Sequence, residues 1–220
     1  MKKQINEYNR SSKILISDGT TNIHPSWSSK GNSFIYLSNQ KNDYFGQTDL
    51  FIYSIDDSTS EKISNAVHTK PIWINDSLLV YVKRSKPNKW GSKYFDLYQY
   101  NLKNKEEKRK TFGSRMTSPA YNKKLNKIAS ISTYDGTSNI MISDSINTLE
   151  DTLYFIPITN FDNGIQLLSL DWHKNELYVD GVFHQGRQIY KVEFNHENKS
   201  CCSKTIWIVS ALFIKQTVDH

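Results

Sequence analysis

Short apolar runs alternate with polar stretches along the chain, and several of the runs share one opening. Pro25-Ser26-Trp27-Ser28-Ser29-Lys30-Gly31-Asn32 precedes Phe34-Ile35-Tyr36-Leu37. Pro71-Ile72-Trp73-Ile74-Asn75-Asp76 precedes Leu78-Leu79-Val80-Tyr81-Val82, and Pro119-Ala120-Tyr121-Asn122 precedes Lys127-Ile128-Ala129-Ser130-Ile131. A weaker copy, Leu170-Asp171-Trp172-His173-Lys174-Asn175, precedes Leu177-Tyr178-Val179. The aromatic anchors lie 46, 48 and 51 residues apart (27 to 73, 73 to 121, 121 to 172). That period fits four short strands and their turns, the repeat of a β-propeller blade.

Each repeat reads the same way. In the first, 23–27 is an inner strand, 28–32 a hairpin turn, 34–38 a second strand, 50–55 a third and 61–64 a polar outer edge. Outer strands are expected to be short and polar, because their edges must not pair with other molecules. In the second repeat 96–102 alternates polar and apolar as a half-buried strand does. Residues 103–110 read as a solvated charged hairpin. Residues 4–8 and 13–17 read as two outer strands of a preceding partial blade. With no amphipathic helical pattern, the chain is expected to be all-β: a propeller of four-stranded antiparallel blades at 20–64, 65–112, 113–160 and 161–209. The end of a partial blade would occupy 1–19, and a tail or the start of a further blade 210–220.

Composition narrows this reading. Apolar residues make up 37% of the 220 and aromatics 13%, which suits many strands packed by Tyr, Phe and Trp better than a Leu-rich bundle. The +6 formal charge is modest for this length, so nucleic acid is not the expected partner. The two cysteines, Cys201 and Cys202, are adjacent and do not make a disulfide framework. The start of the chain has no apolar signal region, and the apolar stretch 206–214 is too short to span a bilayer.

The Pro-x-Trp-Ser-x-x-Gly-Asn turn and the Asp-Leu-aromatic starts at Asp49-Leu50-Phe51 and Asp96-Leu97-Tyr98 resemble the TolB-type, WD-like propeller repeat. The likeness covers roughly 13–194. It departs from the family where Ser29-Lys30-Gly31 replaces Pro-Asp-Gly, and where the second and third turns lack the glycine. The resemblance implies a six- or seven-bladed ring, so this chain is expected to be a piece of a longer propeller, with self-association as the consequence if it stands alone. It also suggests the periplasm or cell envelope.

No two of the nine glycines are two residues apart, which excludes a GxGxxG loop. Gly181 to Gln188 has phosphate-loop spacing but places Arg187 and Gln188 where Lys and Ser or Thr are needed. No Gly-x-Ser-x-Gly elbow occurs, and the six histidines show no metal-ligand spacing. No catalytic residue, cofactor or metal is expected. Asp49 and Asp96 recur at one repeat position and read as structural, orienting the loop before the third strand; the anchors read as packing between blades.

Loops between repeats, and those between second and third strands, emerge on one face of such a fold. The loop 83–93 carries Lys83, Arg84, Lys86, Lys89 and Lys93 around Trp90 with no acid, and Tyr94 follows. Tyr44 and Phe45 occupy the equivalent loop one repeat earlier. Together these residues suit a peptide or protein partner with acidic character. Two functions are therefore expected: a non-enzymatic interaction scaffold or, alternatively, the substrate-gating propeller of a longer prolyl-oligopeptidase-like peptidase.

Overall fold

The computed structural model describes residues 13–19, 21–40, 47–134, 136–144, 146, 152–161, 164–183 and 186–192. These form a β-propeller of four antiparallel sheets with no helix among the described residues. Blade 1 is β1 (Asn22–Trp27), β2 (Ser33–Ser38), β3 (Asp49–Ser54) and β4 (Thr59–Ser64). Blade 2 is β5 (Ile72–Asn75), β6 (Leu78–Arg84), β7 (Phe95–Asn101) and β8 (Glu106–Arg109). Blade 3 is β9 (Met116–Asn122), β10 (Lys127–Tyr134), β11 (Thr137–Ser143) and β12 (Phe155–Pro157). In blade 4, β13 (Gln166–His173), β14 (Glu176–Phe183) and β15 (Gly186–Val192) are described. Every blade runs from inner to outer strand in chain order, as a meander.

Strand alternation builds the core between blades. Ile35 and Leu37 of β2 meet Leu79 and Tyr81 of β6. The intervening Leu78, Val80 and Val82 turn to the opposite face and meet Met116 and Ile128 of blade 3. Ala129 and Ile131 then face Leu177 and Val179 of blade 4. A one-residue slip in any strand would exchange the two faces, so the period of two fixes the register. On the other face of blade 1, Phe34 stacks with Tyr53 at 5.2 Å and Tyr36 with Phe51 at 5.5 Å. Ile16 packs on this cluster, but residues 13–19 are irregular rather than the strand expected at 13–17. No strand pairs with them among the described residues; the strand expected at 4–8 lies outside those residues.

The repeated anchors act between blades. The indole N–H of Trp73 donates to the Ser26 carbonyl at 3.0 Å, and that of Trp172 to the Ala120 carbonyl at 3.2 Å. Each carbonyl belongs to the residue just before the preceding blade's anchor, so the aromatic is placed by a hydrogen bond as well as by packing. Trp27 begins the series, with no earlier blade among the described residues, and is 56% exposed. At the far end, blade 4 exposes Leu168, Val182 and Ile189.

A polar joint seals the outer part of blades 1 and 2. Glu107 of β8 accepts from Tyr81 Oη at 2.5 Å, Ser64 Oγ at 2.6 Å and Lys83 Nζ at 2.8 Å. Burial opposes the Glu107 charge, but the bonds from Lys83, Ser64 and Tyr81 outweigh it and hold the carboxyl below its ordinary value. Tyr81 is driven upward by burial and by its bond to Glu107. The charged stretch 103–110 is a hairpin as expected and is exposed from 103 to 108, but its last two residues are not. Arg109 is partly covered and Lys110 is 1% exposed, because the chain turns inward there toward blade 3.

Trp73→Ala is expected to cost about 3 kcal/mol and Trp73→Phe about 1 kcal/mol. Trp27→Ala, at an exposed position, should change stability by less than about 0.5 kcal/mol. Urea unfolding midpoints check this, and equal losses at Trp27 and Trp73 would contradict it. The depressed Glu107 makes a second prediction. Its stabilisation is complete above the ordinary carboxylate range and is lost as pH falls through the lower folded value. Glu107→Gln should therefore flatten the fall in melting temperature below about pH 4.5; a variant curve parallel to that of the parent would refute it.

Candidate functional site

Two buried carboxylates set the shape of the loop face. Asp49, at the start of β3, accepts from Lys62 Nζ at 2.5 Å and from the Ala66 amide at 2.9 Å. Asp96, in the same place on β7, accepts from Arg109 Nη2 at 2.7 Å, Thr111 Oγ1 at 3.0 Å, and the Gly113 and Ser114 amides at 3.2 and 3.0 Å. The cation is 13 residues on in both blades, and an amide 17 residues on. Blade 3 uses Asn139 instead, which accepts from Thr159 Oγ1 and the Phe161 amide. The role is structural, as the repeat position implied. The element held, however, is the connection after the fourth strand rather than the loop before the third. Gly113, at φ +71, lets the chain bend so that two successive amides reach Asp96.

These connections share a face with the hairpins between second and third strands. Thr48 donates to the Val67 carbonyl at 2.6 Å, and the His68 amide to the Val82 carbonyl at 3.0 Å. In blade 2 the loop 85–94 is ordered by its own bonds. Asn88 Oδ1 accepts from the amides of Trp90 and Ser92, the Gly91 amide donates to the Asn88 carbonyl, and the Ser85 amide donates to the Tyr94 carbonyl at 2.7 Å. An Asx turn of this kind is a local alternative to strand pairing.

The structure divides the expected residues. Lys83 lies in the blade joint, paired with Glu107 and over the Tyr98 ring at 5.0 Å. Arg84 lies over Phe95 at 5.2 Å, and His68 stacks on the same ring at 4.5 Å. Lys86 and Lys93 are exposed, and Lys89 lies 4.9 Å from the ring of Trp90, itself 78% exposed. Tyr94 is half-buried. Tyr44 and Phe45 lie outside the described residues.

Three further residues join the group. The guanidinium of Arg115, in the connection from blade 2 to blade 3, lies 5.1 Å from the Tyr94 ring and 5.3 Å from the Tyr134 ring. Phe112 lies 4.7 Å from the Arg109 guanidinium. Tyr134 and Phe112 are both more than 60% exposed. The sequence reading places the connections between repeats on this face, but within 112–115 one aromatic and one basic residue stand apart and form no local pattern.

A cavity of about 530 Å³ runs beside this face, lined by the inner strands of all four blades. His24, Lys70, Ser118 and Ser169, each three residues before an anchor, face it. His24 and Ser118 have φ of 56° and 49°, both directly before proline and both at breaks in strand register. Such bulges re-aim side chains, and Ser118 Oγ accepts from the Leu170 amide at 3.1 Å across to blade 4. His24 is lowered from its ordinary pKa by burial and by Lys70, and His68 by burial and by Arg84, so both favour the neutral form. Among the described residues no cluster of His, Cys, Asp and Glu could hold a metal, and no helix is long and apolar enough to cross a membrane.

The fold is that of several solved propellers. TolB from Acinetobacter baumannii aligns at a TM-score of 0.50 with 15% identity, covering 77% of this chain and 42% of that one. The β-propeller domain of the Trilobed protease from Pyrococcus furiosus aligns at 0.57 with 11% identity, covering 81% and 54%. Acylaminoacyl peptidase from Pyrococcus horikoshii aligns at 0.59 with 11% identity, covering 91% and 33%. The chain thus spans about half of these proteins or less. No family model matches it, and no curated protein matches it in sequence. The likeness shows the fold, a propeller of the kind found in TolB and in peptidases, with four blades described here.

Asp96→Ala is expected to cost about 3 kcal/mol, because Arg109 and two amides lose their acceptor. Asp96→Asn, the side chain blade 3 uses, should retain more than half of that. Chemical denaturation checks the order; equal losses would show that the carbonyl geometry of the tie contributes nothing.

Proposed function

We propose that the chain is a non-enzymatic interaction propeller that binds an acidic peptide or protein segment on the loop face of blades 2 and 3. The observation that carries this is the composition of one ordered surface. Trp90, Phe112 and Tyr134 are exposed among Arg84, Lys86, Lys89, Lys93 and Arg115. The loops 85–94 and 110–115 contain no acid. Exposed aromatics beside cations are the usual anchors of protein interfaces, and self-stapled loops lose little entropy on binding. The TolB likeness supports a scaffold and, through the TolB-type repeat, an envelope location. The peptidase neighbours support a second reading, in which the face and the adjoining cavity filter peptides for a catalytic domain elsewhere in a longer protein.

The test uses a soluble glutamate–tyrosine copolymer as probe, with a lysine–tyrosine copolymer as control. The acidic copolymer should bind and the basic one should not. The triple variant Lys86→Ala, Lys89→Ala, Trp90→Ala should weaken binding by about tenfold or more. Unchanged affinity would remove this face. Tighter, steeply salt-dependent binding of single-stranded DNA would replace the peptide partner with nucleic acid.

A further inference from the structure

We infer that Arg115 is the carboxylate-reading residue of this face, taking an aspartate or glutamate side chain of the bound segment. This rests on the reading of the face as a partner site. Three observations single out Arg115 from the other cations. First, among the described residues it has no ion pair, whereas Arg109 and Arg187 are engaged by Asp96 and Asp180; Arg84 shares this property but lies over a single ring, Phe95. Second, its guanidinium is flanked by two aromatic rings, Tyr94 and Tyr134, brought from different blades. Two rings beside one guanidinium restrict where it can go, and the planar group carries the paired N–H donors that match a carboxylate.

Third, its backbone is fixed on both sides in a conformation that non-glycine residues seldom adopt, with φ of 50°. The preceding Ser114 donates its amide to Asp96, and its carbonyl accepts from Ser132 Oγ at 2.8 Å. The Arg115 carbonyl accepts from the Thr133 amide at 3.2 Å. The backbone from which the side chain springs is therefore held in place before any ligand arrives, and the two rings limit the side chain's freedom, which lowers the entropy lost on binding. The lysines at 86, 89 and 93 supply attraction without a fixed fork. Tyr94 and Tyr134 beside it, and Phe112 on the same segment, supply apolar contact.

The experiment compares a synthetic peptide of alternating glutamate and tyrosine with its glutamine counterpart, measured by fluorescence anisotropy on the parent chain and three variants. Arg115→Lys keeps the charge and removes the fork. Arg115→Asn removes both while suiting the left-handed backbone. Trp90→Ala tests the face alone. Arg115→Lys is expected to weaken the glutamate peptide about tenfold, and Arg115→Asn more, with neither affecting the glutamine peptide; Trp90→Ala should weaken both peptides. Parental affinity of Arg115→Lys for the glutamate peptide would overturn the inference, even if Trp90→Ala still weakened binding. Loss with Arg115→Lys but not with Trp90→Ala would sink the wider face and leave the arginine standing. Melting temperatures within a few degrees of the parent confirm that each variant is folded.

Discussion

The buried carboxylate at the head of the third strand is the constraint on which the rest of this molecule depends. Asp96 is fully buried and acceptor-only, so it must be surrounded by donors. The donors it gathers are a cation from the outer strand and two amides from the chain that leaves the blade. That single requirement ties third strand, fourth strand and exit together, and it fixes where the next inner strand begins. Asp49 does the same one blade earlier, and Asn139 does it without charge one blade later. The arginine and phenylalanine of the loop face lie on the very segment that Asp96 holds.

Between blades the work is divided by radius. Near the axis, indole N–H groups reach back to the preceding inner strand. Midway, the alternate faces of each sheet interlock. Farther out, polar joints such as Glu107 with Ser64, Tyr81 and Lys83 close the wedge. The bulges at His24 and Ser118 turn polar side chains into the central cavity. Channel and loop face thus share their supports, because both are positioned by the start of each inner strand.

Much of this was legible in the residues. The spacing of Trp27, Trp73, Tyr121 and Trp172 points to strands and turns close to those observed, because each anchor marks one hairpin and the last three also pack between blades. The recurrence of Asp49 and Asp96 revealed a structural position, although its partner could not be read: the bond joins segments 13 to 18 residues apart through space. Lys83 looked like a loop cation, yet its stem runs along β6 and its ammonium falls in a carboxylate joint. Arg115 is hidden in the sequence for the opposite reason. It stands alone in sequence, and its two aromatic neighbours come from a hairpin before it and another after it. Local pattern reports periodic packing well and reports convergence of separate loops poorly.

The most direct measurement of the central claim is amide chemical-shift mapping of the isotopically labelled chain during titration with the acidic copolymer. The account predicts that the largest shifts fall at Trp90, Tyr94, Gly113, Ser114, Arg115 and Tyr134, with the outer strands β4 and β8 unmoved. Shifts concentrated on the outer strands, or on the exposed blade 4 residues Leu168, Val182 and Ile189, would contradict it.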